Sequence, residues 1–286
     1  MDTVILGASG LVGSALVRRF GEEGLDVLGT YYTTPTDETN TQIDVTNEQA
    51  VSKLIADCDP DIVINAAAFV DVDACELERN RAWAVNVTGT RNAAAAAAKA
   101  DAHFIYISTD YVFGGGSNEA PYVETDPPCP INYYGATKRA GEQAARIHPK
   151  SMILRSSVIY GTSSNNFLTW ALAKLRDEKC LDIVDDQISS PTYAPDIAEA
   201  CLRVWRQGIT GLFHAAGPES LSRYEFTKRL AEAHGYDSRV VNPISTAEAG
   251  QQAARPYNST LDSTNLYDRI NYEFQDCKSG IEACGL

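Results

Sequence analysis

The chain has 286 residues and a mass of 31.0 kDa, and its 44% hydrophobic and 22% charged residues are typical of a globular protein with a sizeable core. A formal charge of −14 and a pI near 4.7 argue against nucleic acid or an anionic membrane surface as partners, since both require a basic footprint. The basic residues are 16 Arg and only 8 Lys, and an acidic, lysine-poor surface is favoured in a salt-adapted cytoplasm.

No segment has the length and apolarity of a membrane span, and the N-terminus lacks the basic start of a signal peptide. The seven cysteines lie far apart without a Cys-x-x-Cys pair, and the four histidines lack metal-ligand spacing. We therefore expect a cytoplasmic protein with reduced thiols and no metal site.

In the first 155 residues, short β-branched runs alternate with helical stretches. This alternation predicts βαβ units and a parallel sheet covered by helices on both faces. The predicted strands are residues 3–6, 26–31, 61–65, 103–108 and 151–155. The predicted helices are residues 11–20, 48–56, about 76–100, and 134–147.

After residue 155, loops rich in Ser, Asn and Pro separate helices predicted near residues 167–178, 195–207 and 222–235. A single strand-like run, 211–215, is a candidate to return to the first sheet. The expected fold class is α/β, a doubly wound (Rossmann) parallel sheet with a smaller, discontinuous α/β substrate lobe. We assign residues 1–155 and about 190–215 to the dinucleotide-binding domain, and about 156–189 and 216–286 to the substrate-binding lobe.

A glycine-rich run, Gly-Ala-Ser-Gly-Leu-Val-Gly, lies between the first predicted strand and the first predicted helix. Glycines allow a tight turn and a close approach of a pyrophosphate, and the helix N-terminus offers free N–H groups to it. At the first βα junction, this run favours cofactor binding over a plain turn. The expected contacts are Gly7, Ser9, Gly10, Leu11, Val12 and Gly13.

The end of the second predicted strand, around Tyr31, bears on the choice of cofactor. An acidic residue there would bind the ribose 2′-hydroxyl of NAD, but residues 29–33 are Gly-Thr-Tyr-Tyr-Thr. No arginine stands there either, so a 2′-phosphate would meet only Thr and Tyr hydroxyls. The pattern favours NADPH and leaves NADH open. Asp44 and Val45 are expected either to flank the adenine or to form a surface loop.

Tyr134 and Lys138 are four residues apart, which places them on the same face of a helix. A free phenol has a pKa of about 10, too high for efficient proton transfer near neutral pH. A neighbouring ammonium favours the phenolate and lowers that pKa, and it could also bind the nicotinamide ribose. The alternative is a surface Tyr and Lys, but the position after a glycine loop favours catalysis.

With these two motifs, the chain resembles the extended short-chain dehydrogenase/reductase superfamily. That resemblance implies that Tyr134 is the proton donor and Lys138 the ribose-binding lysine. It also implies a Ser or Thr after the fifth strand of the superfamily's fold as the third catalytic residue. The sequence offers Ser108 and Thr109 there, at the end of the strand predicted at residues 103–108.

Further strings are similar to the dTDP-4-dehydrorhamnose reductase family within that superfamily. They lie at residues 65–68, 72–76, 108–113, 134–142, 154–157, 165–167, 186–192 and 255–259. This resemblance implies that Thr109, Tyr134 and Lys138 form the catalytic trio and that Ala66, Ala67 and Ala68 lie along the cofactor. It also implies NAD(P)H-dependent reduction of the C4 ketone of dTDP-4-dehydro-L-rhamnose.

For the substrate, Arg255 is the expected contact to the pyrophosphate, because a guanidinium fork suits phosphate oxygens; the alternative is an ion pair with a carboxylate. Other polar side chains are expected to contact sugar or base, although each could instead bond its own loop. The further predicted substrate residues are Thr109, Asp110, Val158, Asn166, Gln187 and Asn258.

Val158 replaces a Trp found in many bacterial members of the family, so the identity of the sugar stays open. One alternative is another nucleotide-sugar 4-ketoreductase or epimerase of the same superfamily. The other is a non-catalytic, NADP-binding regulatory subunit of methionine adenosyltransferase. A homodimer is a further possible partnership, since reductases of this type often pair through helices.

Overall fold

A computed structural model describes residues 1–116, 120–177 and 180–285. Seven parallel strands form its main sheet, in the order β11-β6-β5-β4-β1-β2-β3. The strands are β1 (Thr3–Leu6), β2 (Val27–Tyr31), β3 (Thr41–Gln42), β4 (Ile62–Asn65), β5 (His103–Thr109), β6 (Ser151–Ser156) and β11 (Gly211–His214). The predicted doubly wound parallel sheet is confirmed, and the short β3 is an addition to the predicted strands.

Helices cover both faces of this sheet because alternate side chains of each strand point to opposite sides. Ile5, Ile62 and Leu154 pack in one core with α1 (Leu11–Glu22), α8 (Ala194–Arg206) and α10 (Thr264–Ile270). Val4, Val63 and Ile153 pack in a second core with α2 (Glu48–Cys58), α5 (Thr90–Lys99) and α6 (Tyr133–Ala145). Burial on both faces explains why these strands are apolar throughout.

The single helix predicted over residues 76–100 is wrong in its continuity. The chain forms α3 (Val72–Leu77), α4 (Arg79–Trp83), a π-helical turn (Ala84–Gly89) and then α5. The buried Asn86 lies in this wide turn, and its side chain accepts from the Phe69 amide at 2.8 Å and donates to the Thr137 hydroxyl at 3.0 Å. The turn thus contains a polar side chain whose partner lies 51 residues away on α6.

Within the described residues, the second lobe is built from pairs of short strands and the helices that pack on them. Its strands β7 (Ile159–Tyr160) and β10 (Thr192–Tyr193) pair with each other, as do β9 (Ile188–Ser189) with β12 (Leu221–Ser222) and β8 (Leu181–Val184) with β13 (Val241–Ile244). Helices α7 (Phe167–Arg176), α9 (Arg223–Ala233) and α11 (Cys277–Ala283) pack around a separate core. The predicted end of the helix at Glu178 lies outside the described residues.

The chain leaves the main sheet after β6 and returns to it through α8 and β11. β11 pairs with β6 in register from Gly211 beside Met152 to His214 beside Arg155, so the return predicted for residues 211–215 is confirmed. The chain enters the second lobe after β6 and again after β11. Both exits lie at the carboxyl edge of the sheet, where doubly wound folds bind ligands. Within the described residues, no helix has both the length and the apolarity needed to cross a membrane.

Candidate active site

The glycine loop between β1 and α1 has no room for side chains at two of its positions. Gly7 has a φ of +79°, and a Cβ there would lie 2.7 Å from the backbone of Ala67. A Cβ on Gly13 would lie 2.2 Å from the Gly7 carbonyl oxygen. Gly10 precedes α1 without a side-chain cap, so the first N–H groups of the helix are available to an anionic ligand.

A cavity of about 450 Å³ opens beside this loop. Nine residues predicted to contact the cofactor line it: Gly7, Ser9, Gly10, Tyr31, Asp44, Val45, Ala66, Ala67 and Ala68. The side chains of Leu11 and Val12 pack against the core instead, and Gly13 is buried in the turn. The shape of the cavity and its uncapped helix N-terminus fit a dinucleotide whose pyrophosphate lies at the loop.

Two polar residues of this cavity differ in how well the sequence predicted them. Asp44 accepts from the backbone and hydroxyl of Thr46 at 2.9 and 2.7 Å, so it shapes its own turn while lining the cavity. Arg81 also lines the cavity, with its guanidinium 4.5 Å from the centre of the Phe69 ring and 3.0 Å from Glu78. No sequence pattern pointed to Arg81, because only the tertiary fold brings α4 to the cavity that Tyr31 of β2 also lines.

Thr109 and Tyr134 meet at the carboxyl edge of the sheet. Thr109 ends β5, and Tyr134 lies in the first turn of α6, whose N-cap, Asn132, accepts from the Gly135 amide at 2.8 Å. Burial raises the pKa of the Tyr134 phenol above its ordinary value, and its hydrogen bond with Thr109 opposes that rise. Ser108, the other hydroxyl considered, donates to Glu142 at 2.8 Å instead.

Lys138 is almost completely buried one helical turn after Tyr134. Its ammonium donates to the Ile107 carbonyl at 2.6 Å and lies 4.2 Å from the centre of the Tyr106 ring. Burial lowers the pKa of Lys138 to about 7, and the Glu142 carboxylate opposes that shift. The ammonium is thus directed at a backbone carbonyl, and the expected lowering of the Tyr134 pKa is not seen in this arrangement.

A buried ion pair beneath Lys138 fixes α6 to the sheet. The Glu142 carboxylate accepts two hydrogen bonds from Arg155 of β6, at 2.8 and 3.0 Å, and one from Arg139 at 2.7 Å. With the bond from Ser108, these partners lower the pKa of Glu142 against the effect of burial. Removing one member of such a pair costs about 3–5 kcal/mol, so we regard the cluster as the anchor of the catalytic helix.

The polar residues predicted to contact the substrate are largely bonded within their own lobe. Asn166 caps α7 and donates to the carbonyl of Gly161 at 2.8 Å. Gln187 donates to Thr246 and Gln251, and Asn258 accepts from the backbone and hydroxyl of Thr260. For Asn166 and Asn258, the structure shows the bonding within their own loops that the sequence left as an alternative. Gln187 instead bonds two side chains from a distant segment.

Arg255 and Val158 also differ from the expected picture. The Arg255 guanidinium lies 3.0 Å from Asp73 of α3 and donates to the Ala253 carbonyl at 2.8 Å, so its charge already has a carboxylate partner. Val158 follows β6 with a φ of +40°, an uncommon conformation for a β-branched residue. Its carbonyl accepts from the Thr192 amide at 3.1 Å, which ties this bend to β10.

A second arginine, Arg223, stands close to the reacting groups and was not predicted. It begins α9, and its guanidinium lies 5.0 Å from the centre of the Phe167 ring. Burial raises the pKa of Tyr111, and the nearby Arg223 opposes that rise. The Tyr111 ring in turn meets the Tyr134 ring edge to face at 6.0 Å. Within the described part of the chain, Arg223 forms no ion pair.

Known proteins with this sequence pattern and fold identify the family. The model of the RmlD substrate-binding domain matches residues 1–284. The chain is 35% identical over 274 residues to the probable low-salt glycan biosynthesis reductase Agl14 of Haloferax volcanii, covering 93% of this chain and 91% of that protein. It is 37% identical over 263 residues to dTDP-4-dehydrorhamnose reductase of Mycolicibacterium smegmatis, and the match covers 91% of this chain and 77% of that protein.

Among solved structures, the chain is similar to dTDP-4-dehydrorhamnose reductase of Bacillus anthracis in complex with NADP. The two share 33% identity and a TM-score of 0.90, covering 100% of this chain and 99% of that one. The match extends over both the main sheet and the second lobe. The chain therefore belongs to the RmlD substrate-binding domain family.

Proposed function

We propose that this protein is an oxidoreductase that reduces the C4 ketone of dTDP-4-dehydro-L-rhamnose to dTDP-L-rhamnose with NADPH or NADH. The observation that carries the proposal is the meeting of Thr109 and Tyr134 at the sheet edge that also holds the glycine-loop cavity. The named activities of the Mycolicibacterium smegmatis and Bacillus anthracis relatives support the choice of substrate.

The proposed cofactor site is the glycine-loop cavity, and a nicotinamide dinucleotide supplies the hydride when bound. The first N–H groups of α1 hold the pyrophosphate, while Val45, Ala66 and Ala67 enclose the apolar parts of the ligand. We propose NADPH as the preferred form. No acid ends β2, and Arg81 is the one basic side chain of the described residues that lines the cavity.

The chain's own catalytic groups then handle the proton. The Tyr134 hydroxyl is proposed to donate its proton to the ketone oxygen as negative charge develops there. Burial raises the pKa of this phenol, so it is fully protonated at neutral pH and ready to act as an acid. Thr109 fixes the position of the reacting oxygen beside Tyr134, and Lys138 supplies positive charge one turn along α6.

The substrate lobe is proposed to comprise residues 156–189 and 216–286, and the cofactor domain residues 1–155 and 190–215. Within the lobe we propose that Arg223, rather than Arg255, contacts the diphosphate of the substrate. Arg255 forms an ion pair with Asp73, whereas Arg223 lies over the Phe167 ring and, among the described residues, has only the nearby charge of Asp110 without a direct ion pair. The ring of its neighbour Tyr111 contacts the Tyr134 ring edge to face.

A non-catalytic regulatory subunit is the weaker candidate, because such a protein needs no proton donor. The present chain keeps Thr109, Tyr134 and Lys138 together, and the buried Glu142–Arg155 pair holds their helix in place. A different keto-sugar of the same superfamily would use the same trio, so only the pocket would distinguish it.

The decisive experiment follows NADPH and NADH oxidation at 340 nm with dTDP-4-dehydro-L-rhamnose. Tyr134→Phe should lower kcat by about 10²–10⁴-fold with unchanged NADPH binding, since it removes only the phenolic hydroxyl that donates the proton. Tyr133→Phe is the matched control, because this neighbouring phenol packs against Arg79 at the start of the same helix. No oxidation by folded wild-type protein at low or molar salt would refute the proposed substrate.

A further inference from the structure

Asp110 follows Thr109 directly and is only 2% exposed. Although the sequence suggested a substrate contact, hydroxyl groups of the protein surround its carboxylate. Thr109 donates to Oδ1 at 3.0 Å, while Ser157 and Ser259 donate to Oδ2 at 2.8 and 2.6 Å. Because the side chain is enclosed in this way, a role through its neighbours is better supported than direct contact with a ligand.

The hydrogen bonds of Thr109 show what Asp110 does to it. A hydroxyl has one proton to donate and two lone pairs to accept with. The Thr109 proton goes to Asp110, and one lone pair accepts from the Tyr111 amide at 3.2 Å. The Thr109 hydroxyl also lies beside the Tyr134 phenol. Asp110 thus takes the proton of the hydroxyl that stands next to the catalytic phenol and fixes the direction in which that hydroxyl points.

The other two hydroxyls connect Asp110 to the second lobe. Ser157 lies where the chain leaves β6, and its oxygen also accepts from the Ser190 amide at 3.2 Å. Ser259 lies beside β9, where its amide donates to the Ile188 carbonyl at 3.0 Å, and its hydroxyl donates to Asp110. Two segments of the substrate lobe, those of Ser157 and Ser259, therefore converge on the carboxylate that orients Thr109.

We propose that Asp110 is a positioning residue: it fixes the orientation of the Thr109 hydroxyl and couples that orientation to the seating of the substrate lobe through Ser157 and Ser259. This inference rests on the proposed reductase function. It predicts that Asp110 affects the chemical step through Thr109, with little effect on the affinity for NADPH.

The test is a double-variant cycle measured as NADPH oxidation with dTDP-4-dehydro-L-rhamnose. Asp110→Asn retains the shape of the side chain but adds a donor where Thr109 now donates. We expect kcat to fall by about tenfold or more, as for a lost hydrogen bond to a charged group, with the KM for NADPH within about twofold. Thr109→Val combined with Asp110→Asn should be no slower than Thr109→Val alone, because the two residues act as one unit.

The matched control is Asp196→Asn. Asp196 is also buried and accepts a tyrosine hydroxyl, that of Tyr272 at 2.6 Å, but it lies on α8 away from Thr109. Its kcat is expected to stay within about twofold of the wild-type value. If Asp110→Asn does not fold, Ser259→Ala replaces it in the cycle and should show the same lack of additivity with Thr109→Val.

Three outcomes would overturn the inference. Multiplicative effects in the double variant would show that Asp110 acts independently of Thr109. A raised KM for the keto-sugar with unchanged kcat would make Asp110 a direct substrate contact. An unchanged kcat in Asp110→Asn beside an active wild type would remove this inference alone, whereas an inactive wild type would remove the proposed function as well.

Discussion

The residues predicted to contact the cofactor and those predicted to contact the substrate differ in their surroundings. The first set lines a cavity beside an uncapped helix N-terminus, whereas the second set largely bonds other groups of the protein. In the first set, the predicted residues Gly7, Gly10 and Ala66–Ala68 line the glycine-loop cavity. In the second, Asn166 and Arg255 satisfy partners of their own. A substrate must therefore bind polar groups that do not already have a hydrogen-bond or ion-pair partner within the protein.

The difference shows which kind of site a sequence pattern can locate. A phosphate loop works through backbone N–H groups and missing side chains, both of which follow from glycine at fixed spacing. A substrate pocket works through side chains whose partners come from distant segments, such as Asp73 for Arg255. Four predictions test this contrast, and they follow in order of decreasing expected effect.

Lys138→Met should abolish most activity, by about 10²-fold or more, while altering how stability depends on pH. Burial lowers the pKa of Lys138 from 10.5 to about 7 in the folded state. Between those values, the unfolded chain binds a proton that the folded chain lacks, so stability from this group rises with pH. Below pH 7 its burial penalty is fully present.

Denaturant unfolding between pH 6 and 9 checks this prediction. The wild-type free energy of unfolding should gain up to about 1.4 kcal/mol per pH unit relative to Lys138→Met above pH 7. The exposed Lys99 on α5 provides the control, since Lys99→Met should follow the wild-type curve. Parallel curves for wild type and Lys138→Met would contradict the buried, proton-losing lysine.

Gly13→Ala should weaken NADPH binding by about 10²-fold and destabilise the fold by about 1–3 kcal/mol, because its Cβ would overlap the Gly7 carbonyl. Gly21→Ala in the same helix is the control. A Cβ at Gly21 meets no atom within 4 Å, so this change should be neutral or stabilise by up to about 1 kcal/mol. Fluorescence titration of NADPH and thermal unfolding measure both. Equal affinities for the two variants would contradict a backbone-determined site.

Arg223→Ala should raise the KM for the keto-sugar by about tenfold, since it removes a guanidinium proposed to bind the diphosphate. Arg255→Ala should change that KM by less than about threefold, because Arg255 is already paired with Asp73. Steady-state kinetics at fixed NADPH compare the two, with Arg223→Lys as a charge-retaining variant. The reverse order of effects would restore Arg255 as the phosphate contact.

Asn166→Ala should lower stability by about 1 kcal/mol through loss of the α7 N-cap, with an unchanged KM for the sugar. Asn166→Ser should retain most of the stability, since serine also caps helices well. The exposed neighbour Asn165 supplies the control, and Asn165→Ala should be neutral. A KM raised in both Asn166 variants would instead make this residue a substrate contact.

Much of the fold follows from local patterns. The strand predicted at residues 3–6 is β1, and the run at 211–215 does return to the sheet, because β-branched runs between helices have few other stable arrangements. The helix predicted over 76–100 failed because Asn86 has its polar partners on other elements. Arg81 and Arg223 were missed for the same reason: each reaches its proposed site only through tertiary packing.

From the sequence alone we could predict the parallel sheet, the glycine loop and the helical spacing of Tyr134 and Lys138, since each depends on a backbone period or on the absence of a side chain. Only the tertiary structure decided which hydroxyl faces Tyr134 and where the Lys138 ammonium points. It also decided that Arg255 forms a direct ion pair with Asp73. A buried polar group takes whichever partner the packing of distant segments brings within hydrogen-bond distance, and a linear pattern does not contain that distance.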